Sequence, residues 1–223
     1  MGTSQRLSAV NEFKVMINDT SIERVYTFKY LGVLLDPSLT WSDHIDYIAN
    51  KISSRLGMLR KARKILPKEA CITLYNSMIL PLFDYCSVVW CTTGKINLDY
   101  LDKLQLRAAR IIEQRKLEPH GIKSVFSWSS LQSRRDFQVC ILVFKCLHEL
   151  APNYLLNEFN QASTIHSYNT RNRDKLRPPF AKTQKYKNSF RIYGATTWNK
   201  LPRIIRNIDD FHKFRERLRH YFI

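Results

Sequence analysis

A short apolar run near the N-terminus sets the first constraint on the fold. Residues 30–35 read Tyr-Leu-Gly-Val-Leu-Leu, with Lys29 before them and Asp36 and Pro37 after them. An apolar run of this length between polar and turn-forming residues predicts a strand that is buried on both faces. The isolated Gly32 inside it indicates a bulge, or a place where another backbone or a ligand comes close.

The residues before this run predict a β-hairpin. Residues 13–17 and 22–27 have the composition of strands, and the turn-forming residues Asn18, Asp19 and Thr20 separate them. An isolated hairpin of this kind is only marginally stable in water, so we expect it to pack on other elements. With the run at 30–35 it makes a small antiparallel N-terminal sheet, whereas the polar residues 1–12 are expected to be disordered.

A long amphipathic helix is expected after Trp41, with Thr40 or Ser42 as its cap. Its apolar residues recur at spacings of three and four and share one face; they are Ile45, Ile48, Ile52, Leu56 and Leu59. Basic residues border that face or lie around its other side, among them Lys51, Arg55, Lys61 and Lys64. From 47 to 68 there are seven basic residues and no acidic one, which fits either contact with a nucleic-acid backbone or a solvated helix surface.

A second helix, capped by Asn97 and running to about residue 114, carries the clearest basic stripe. Lys103, Arg107 and Arg110 are spaced i, i+4, i+7, opposite the apolar residues of the same helix. Three cations aligned over two turns match the repeat of phosphates along a groove, and a solvated face is the alternative.

The remaining periodic segments also predict helices. One helix begins after Pro67 and is kinked or restarted at Pro81, and the sequence Glu-Pro-His-Gly at 118–121 interrupts the helical pattern. Ser129 or Ser130 is expected to cap a central helix that ends at about residue 150, and Asp209 to cap a last helix. The chain is therefore expected to be α+β and mainly α.

Residues 161–208 show no regular period and combine cations with aromatic rings. Eleven Lys or Arg residues stand there against one acidic residue. Candidate contacts to nucleic acid are Arg171, Arg173, Arg177, Lys187 and Arg191. Cations beside aromatic faces suit single-stranded nucleic acid, and the alternative is an irregular basic linker whose aromatic residues pack back on the core.

The overall charge favours a polyanionic partner. Thirty-six Lys or Arg residues against 19 acidic ones give a net charge of +17. We expect nucleic acid, contacted mainly through phosphate, with an anionic membrane surface or a protein as alternatives. The longest apolar run is six residues, too short to span a bilayer, and the expected location is intracellular, nuclear or cytoplasmic. Five cysteines without zinc-motif spacing indicate buried reduced thiols.

An ordered set of motifs resembles one protein family. Phe-Lys-Tyr-Leu-Gly-Val at 28–33 and Trp-Ser-Asp-His-Ile at 41–45 are followed by landmarks at 80–90, 101–112, 166–171 and 198–202. The set is similar to the end of the palm, the thumb and the C-terminal region of LINE-type, jockey-like reverse transcriptases, from retrotransposons lacking long terminal repeats. This resemblance places near the primer terminus the residues Phe28, Lys29, Tyr30, Leu31, Gly32 and Val33.

The resemblance also implies a division of the chain. It comprises palm-end strands at 13–40, a helical thumb bundle at 41–117, a C-terminal helical region at 118–160, the basic irregular segment at 161–208 and a terminal helix at 209–223. In such polymerases carboxylates on palm strands hold two Mg²⁺ ions, and they precede the motif that this chain has at 28–33. The Tyr- or Phe-x-Asp-Asp hairpin is missing here, and Asp209 and Asp210 fit a helix start better.

No other catalytic pattern stands out. The sequence has no P-loop, dinucleotide fingerprint, paired metal-binding histidines or nucleophile elbow. We therefore expect a reverse-transcriptase fragment without catalytic residues, metal ligands or a cofactor of its own, which binds template RNA and primer while the Mg²⁺ is held by a palm outside it. The alternatives are a subunit that acts in trans with a separate palm-bearing chain, and a repurposed or degenerate reading frame with weak binding.

Overall fold

The structure, a computed structural model, describes residues 15–119, 121–159 and 175–223. Four short strands come first: β1 (Val15–Ile17), β2 (Thr20–Ile22), β3 (Phe28–Tyr30) and β4 (Val33–Leu35). The helices of the first half are α1 (Ser42–Ala62), α2 (Lys68–Leu74), a π-helical segment (Tyr75–Ile79), α3 (Leu80–Asp84), α4 (Ser87–Trp90) and α5 (Lys95–Glu113). Those of the second half are α6 (Gly121–Phe126), α7 (Leu131–Leu147), α8 (Asn153–Leu156), α9 (Gln184–Lys187), α10 (Phe190–Lys200), α11 (Arg203–Arg206) and α12 (Phe211–Phe222). The predicted class, α+β and mainly α, is confirmed.

Internal contacts divide the chain into two compact units. Of the described residues, unit 1 takes those up to Leu82 and then 93–108, and unit 2 takes 83–92 and those from Ala109 onward. Helix α5 contributes residues to both units. The division into palm end, thumb and C-terminal regions stays a prediction.

The first hairpin of unit 1 has its turn near the predicted position but a different second strand. Strand β1 pairs antiparallel with β2, with Val15 opposite Ile22. The turn consists of Asn18 and Asp19, both in the left-handed region with φ of 45° and 61°. Two such residues in succession are typical of the tight turns that match the twist of a hairpin. The second strand is Thr20–Ile22, so Thr20 belongs to the strand and not to the turn, and the strand predicted over 22–27 is wrong.

The predicted buried strand at 30–35 is wrong, because the chain reverses in the middle of the apolar run. Leu31 (φ 45°) and Gly32 (φ 83°) form a two-residue turn, and β3 pairs antiparallel with β4 on either side of it. Glycine adopts a positive φ without steric cost, so Gly32 marks the turn and not a bulge. Strand β3 is exposed along its whole length, whereas Val33 at the start of β4 is buried.

A loop centred on Asp36 joins this hairpin to α1. The Asp36 carboxylate accepts hydrogen bonds from the backbone N–H groups of Ser38 (2.9 Å) and Trp41 (2.9 Å) and from the Thr40 hydroxyl (3.2 Å). Trp41, with a buried indole and φ of 66°, occupies the position before α1. Neither Thr40 nor Ser42 is the N-cap: Trp41 has that position and makes no side-chain cap hydrogen bond, while the Thr40 hydroxyl accepts from the N–H of Ser42 at 3.4 Å and Asp36 orders the loop.

Replacing Asp36 by Ala is expected to lower the free energy of unfolding by about 1–2 kcal/mol near neutral pH, because charge-assisted hydrogen bonds are lost. Burial alone raises the pKa of Asp36, but the hydrogen bonds from Thr40, Trp41 and Ser38 outweigh it and lower the pKa below its ordinary value. The stabilisation is therefore complete above the ordinary pKa and is lost as the pH falls through the lowered one. Denaturant unfolding at about pH 7 and about pH 3 measures this, with the exposed Asp99→Ala as control. An equal loss of unfolding free energy at both pH values would contradict this prediction.

The rest of unit 1 packs on the apolar face of α1. Ile45, Ile52 and Leu56 are fully buried, as the periodicity predicts, and α1 contacts β4, α2 and the π-helical segment. This segment lies between α2 and α3, directly ahead of the kink predicted at Pro81. A wide i→i+5 turn next to a residue that lacks an N–H is a common way for a helix to accommodate proline. Asn97 does not cap α5, which begins at Lys95; its amide donates to Ser42 and Thr93.

Helix α7 is the central helix of unit 2, as predicted. The Ser130 hydroxyl caps it by accepting from the N–H of Ser133 at 3.0 Å. Buried residues on several of its sides, including Val139, Val143 and Phe144, pack against α4, α10 and α12. Helix α12 begins one residue later than predicted: Asp210, not Asp209, accepts from the N–H of Lys213 at 2.8 Å. A capping carboxylate must precede the N–H it accepts by two or three residues, and Asp210 has that spacing.

The prediction of an irregular segment at 161–208 is wrong for its described part, which contains α9, α10 and α11. Helix α10 escapes a periodicity search because it buries small residues. Gly194 lies so close to Phe159 and Val143 that an added Cβ would meet each at 3.0 Å. The expected anchor at 198–202 is confirmed by Trp198 and Leu201, which are each 2% exposed.

The cysteines behave as the sequence predicts. All five are free, four of them are buried, and Cys86 is half-buried. Burial raises the pKa of the Cys91 thiol to about 12 and that of Cys146 to about 11, so both remain protonated near neutral pH.

Candidate nucleic-acid interface

Three hydrogen bonds join the hairpin of β3 and β4 to α1. The Thr27 hydroxyl donates to Asp43 at 2.8 Å, the Lys29 ammonium donates to the Tyr47 hydroxyl at 3.0 Å, and the N–H of Leu34 donates to Nδ1 of His44 at 3.4 Å. Their partners on α1 are Asp43, His44 and Tyr47, which lie within about one helical turn. The hairpin is thereby held against the first turns of α1.

Docking of the hairpin brings together two lysines that are far apart in sequence. The Lys29 Nζ lies 4.9 Å from the centre of the Tyr47 ring, and the Lys51 Nζ lies 4.2 Å from it. Hydrogen bonding from Lys29, followed by that from Lys51, lowers the pKa of the Tyr47 phenol. We call these three residues the Lys29/Tyr47/Lys51 cluster. It offers two ammonium groups and a hydroxyl in one exposed patch, which suits the oxygens of an anion.

Strand β3 and the turn after it also carry large exposed apolar side chains. Phe28 is 54% exposed, Tyr30 60% and Leu31 74%, whereas Val33 belongs to the core of unit 1. Side chains alternate along a strand, so Phe28 and Tyr30 point away from the face on which Lys29 meets Tyr47. Of the residues predicted at 28–33, Lys29 supplies a cation and Gly32 shapes the turn. Large apolar groups are exposed by Phe28, Tyr30 and Leu31.

The other basic residues predicted on α1 have different surroundings. Lys61 and Lys64 are exposed, Lys64 lying just past the end of the helix. The Arg55 guanidinium donates to the backbone carbonyl of Met78 and thus takes part in the packing of unit 1.

The basic stripe on α5 is exposed along its length. Lys103, Arg107 and Arg110 all have exposed side chains. Arg110 differs from the other two because its Nε donates to the carbonyl of Leu117 at 2.8 Å. One of its donors is therefore already committed to the fold.

The predicted contacts of the C-terminal segment are of two kinds. Arg177 and Lys187 are exposed, whereas the Nε of Arg191 donates to the carbonyl of Glu158 at 2.9 Å. Arg171 and Arg173 lie outside the described residues. The aromatic residues also divide: Phe180 (83%) and Tyr186 (38%) are exposed, and Trp198 is buried. The two interpretations of this segment therefore each have candidate residues: the exposed rings could stack on bases, and the buried ring packs on the core.

The described residues hold neither a metal-binding cluster nor a membrane-spanning helix. No three His, Cys, Asp or Glu side chains among the described residues lie close enough to hold a metal ion. None of the helices in the described ranges has the length and hydropathy needed to cross a membrane.

Three curated RNA-directed DNA polymerases of mobile elements are similar to this chain. Two are from jockey elements, of Drosophila funebris (29% identical) and Drosophila melanogaster (30%), and a third, described as probable, is from the transposon X-element of Drosophila melanogaster (27%). Each match extends over 101 residues, which is 44% of this chain and 11% of the relative. No protein-family model and no solved structure matches. This chain is homologous to jockey-type reverse transcriptases.

The resemblance to jockey-type reverse transcriptases drawn from the ordered motifs is thus confirmed, although the chain spans a small part of their length. The assignment of individual residues to nucleic acid stays a prediction. Sequence reasoning found Lys29 and Lys51 but missed Tyr47, which joins them. The available signal was an aromatic residue four positions before a lysine, where a helix brings the two side chains together.

Proposed function

We propose that this chain is the part of a reverse transcriptase that grips template RNA and primer by their phosphates. The observation that carries this proposal is the Lys29/Tyr47/Lys51 cluster, in which the fold sets two cations and a hydroxyl beside an exposed hairpin. The homology to RNA-directed DNA polymerases and the net charge of +17 support the same conclusion.

The cluster and the hairpin supply complementary contacts. Ammonium groups that contact phosphates release condensed counterions, which gives affinity without sequence preference. The exposed rings of Phe28 and Tyr30 lie on the other face of strand β3 from the cluster and offer flat apolar faces to the sugars and bases of a strand end that wraps around the hairpin. A strand end held by both kinds of contact is fixed in position and direction, and a polymerase needs that for its primer.

Polymerisation itself is not assigned to this chain. Two Mg²⁺ ions across the attacking hydroxyl and the leaving phosphate require a set of carboxylates. In this proposal a palm outside the chain supplies them, and the chain contributes binding and orientation.

Binding is expected to weaken steeply as salt rises. Labelled RNA and RNA–DNA hybrid would be titrated with the chain between about 50 and 300 mM salt, with fluorescence anisotropy as readout. For contact with several phosphates, the logarithm of affinity should fall linearly with the logarithm of salt concentration, with a slope of about −3 to −5. Absence of binding at the lowest salt, or a slope near zero, would overturn the proposal.

A further inference from the structure

An apolar pocket lies inside unit 1. The C-terminal half of α1 forms one wall, and the end of α2 with the π-helical segment forms the other. Its volume is ≈ 150 Å³. Met58 and Ala62 of α1 face Leu74, Met78 and Ile79 across it. We call it the Met58/Met78 pocket. Met58 is 56% exposed and Met78 38%, so both lining side chains reach the protein surface.

The size and lining of the pocket suit one apolar side chain. A cavity of about this volume, lined by aliphatic groups, holds a molecule as large as benzene. The side chains of Leu, Met and Phe are of that size. Methionine adapts its shape to different apolar partners, which is why it recurs on surfaces that bind amphipathic segments.

The lining argues against a nucleotide base as the occupant. Base edges carry donors and acceptors, and an almost wholly apolar wall would leave them without partners. Arg55, the charged residue of the lining, donates its guanidinium to the carbonyl of Met78. An apolar side chain loses no hydrogen bond on entering such a pocket.

The charge around the pocket indicates which residues of the occupant stand next to its apolar anchor. The Arg55 guanidinium is part of the lining, and the exposed Lys61 follows Met58 by three residues, on the same side of α1. From 47 to 68 the chain has no acidic residue that would offset them. Charge complementarity therefore favours an acidic partner.

We propose that the Met58/Met78 pocket binds the apolar anchor of an acidic amphipathic segment of a partner protein. The segment lies in the groove as a helix with one large apolar residue in the pocket, and its carboxylates face Arg55 and Lys61. This site is separate from the Lys29/Tyr47/Lys51 cluster and does not depend on nucleic-acid binding.

A short synthetic peptide with leucines at helical spacing and glutamates elsewhere tests this proposal against the full chain, with fluorescence anisotropy as readout. We expect micromolar binding, and an approximately tenfold loss in Met58→Glu, which places a carboxylate in the mouth of the pocket. Ile96→Glu is the matched control: it introduces the same charge in unit 1, at an apolar residue that is 85% exposed, and should leave affinity unchanged. Circular dichroism checks that both variants fold.

Four results would overturn the proposal. They are absence of peptide binding by the wild-type chain at low salt, equal losses in the two variants, equal affinity for a peptide with alanines in place of leucines, and equal affinity for a peptide with lysines in place of glutamates. RNA titration of the same variants separates this site from the proposed function. Met58→Glu should keep its RNA affinity, and a loss of RNA binding equal to the loss of peptide binding would assign the surface to nucleic acid instead.

Discussion

Replacing Trp198 by Ala is expected to lower the free energy of unfolding of unit 2 by about 3–5 kcal/mol. The Trp198 side chain is 2% exposed, and its ring lies 5.5 Å from that of Phe214, which in turn stacks on Phe144 at 4.3 Å. Removing the indole leaves a large cavity where α10, α12 and α7 meet. Denaturant unfolding followed by circular dichroism measures the change.

The matched control for Trp198 is another aromatic residue of the same unit. Tyr154 is 77% exposed, so Tyr154→Ala should change stability by less than about 0.5 kcal/mol. Because a loss of about 4 kcal/mol is close to the whole stability of many domains, Trp198→Phe provides a variant that keeps an aromatic ring and folds. We expect it to be intermediate. Equal stability of the Trp198 and Tyr154 alanine variants would contradict the packing described for α10.

The elements with strong apolar periodicity were predictable from sequence. The buried faces of α1, α5 and α7 follow the spacing of three and four, and Ser130 fulfils its predicted cap. Helix α10 was not predictable because Gly194 and Ala195 give close packing without a hydrophobic signal. The same limit applies to the caps: Asp209 and Asp210 look alike in sequence, and only the hydrogen bond to Lys213 separates them.

The apolar run at 30–35 illustrates how composition alone misleads. A two-residue turn of Leu31 and Gly32 needs no polar residue, so a hairpin can pass for a single buried strand. This error also conceals the candidate site. Lys29 precedes that run and is itself a predicted contact, but only the hairpin docked on α1 brings it to Tyr47. The cations themselves are visible in the sequence, but their convergence depends on contacts between residues that are distant along the chain.

Replacing Lys29 and Lys51 together by Gln is expected to weaken binding to an RNA–DNA hybrid roughly 10- to 50-fold at about 100 mM salt and to flatten the salt slope by about two units. Both losses have one cause, because each lysine that no longer meets a phosphate also no longer releases a counterion. The strength of the test lies in its control. Lys200 and Lys213 are exposed residues of unit 2, and replacing both by Gln removes the same net charge from surfaces not assigned to the site.

If the Lys29/Tyr47/Lys51 cluster is a local phosphate site, the control pair should weaken binding less than about threefold and change the slope by less than one unit. Equal effects of the two pairs would mean that affinity follows the net charge of +17 and that the cluster has no special role. Tyr47→Phe separates the parts of the cluster further, since it keeps the ring that both ammonium groups face but removes the hydroxyl that Lys29 contacts. The cations supply the affinity and the hydroxyl orients one of them. Tyr47→Phe should therefore lose less affinity than the double lysine variant, and its salt slope should equal that of the wild-type chain.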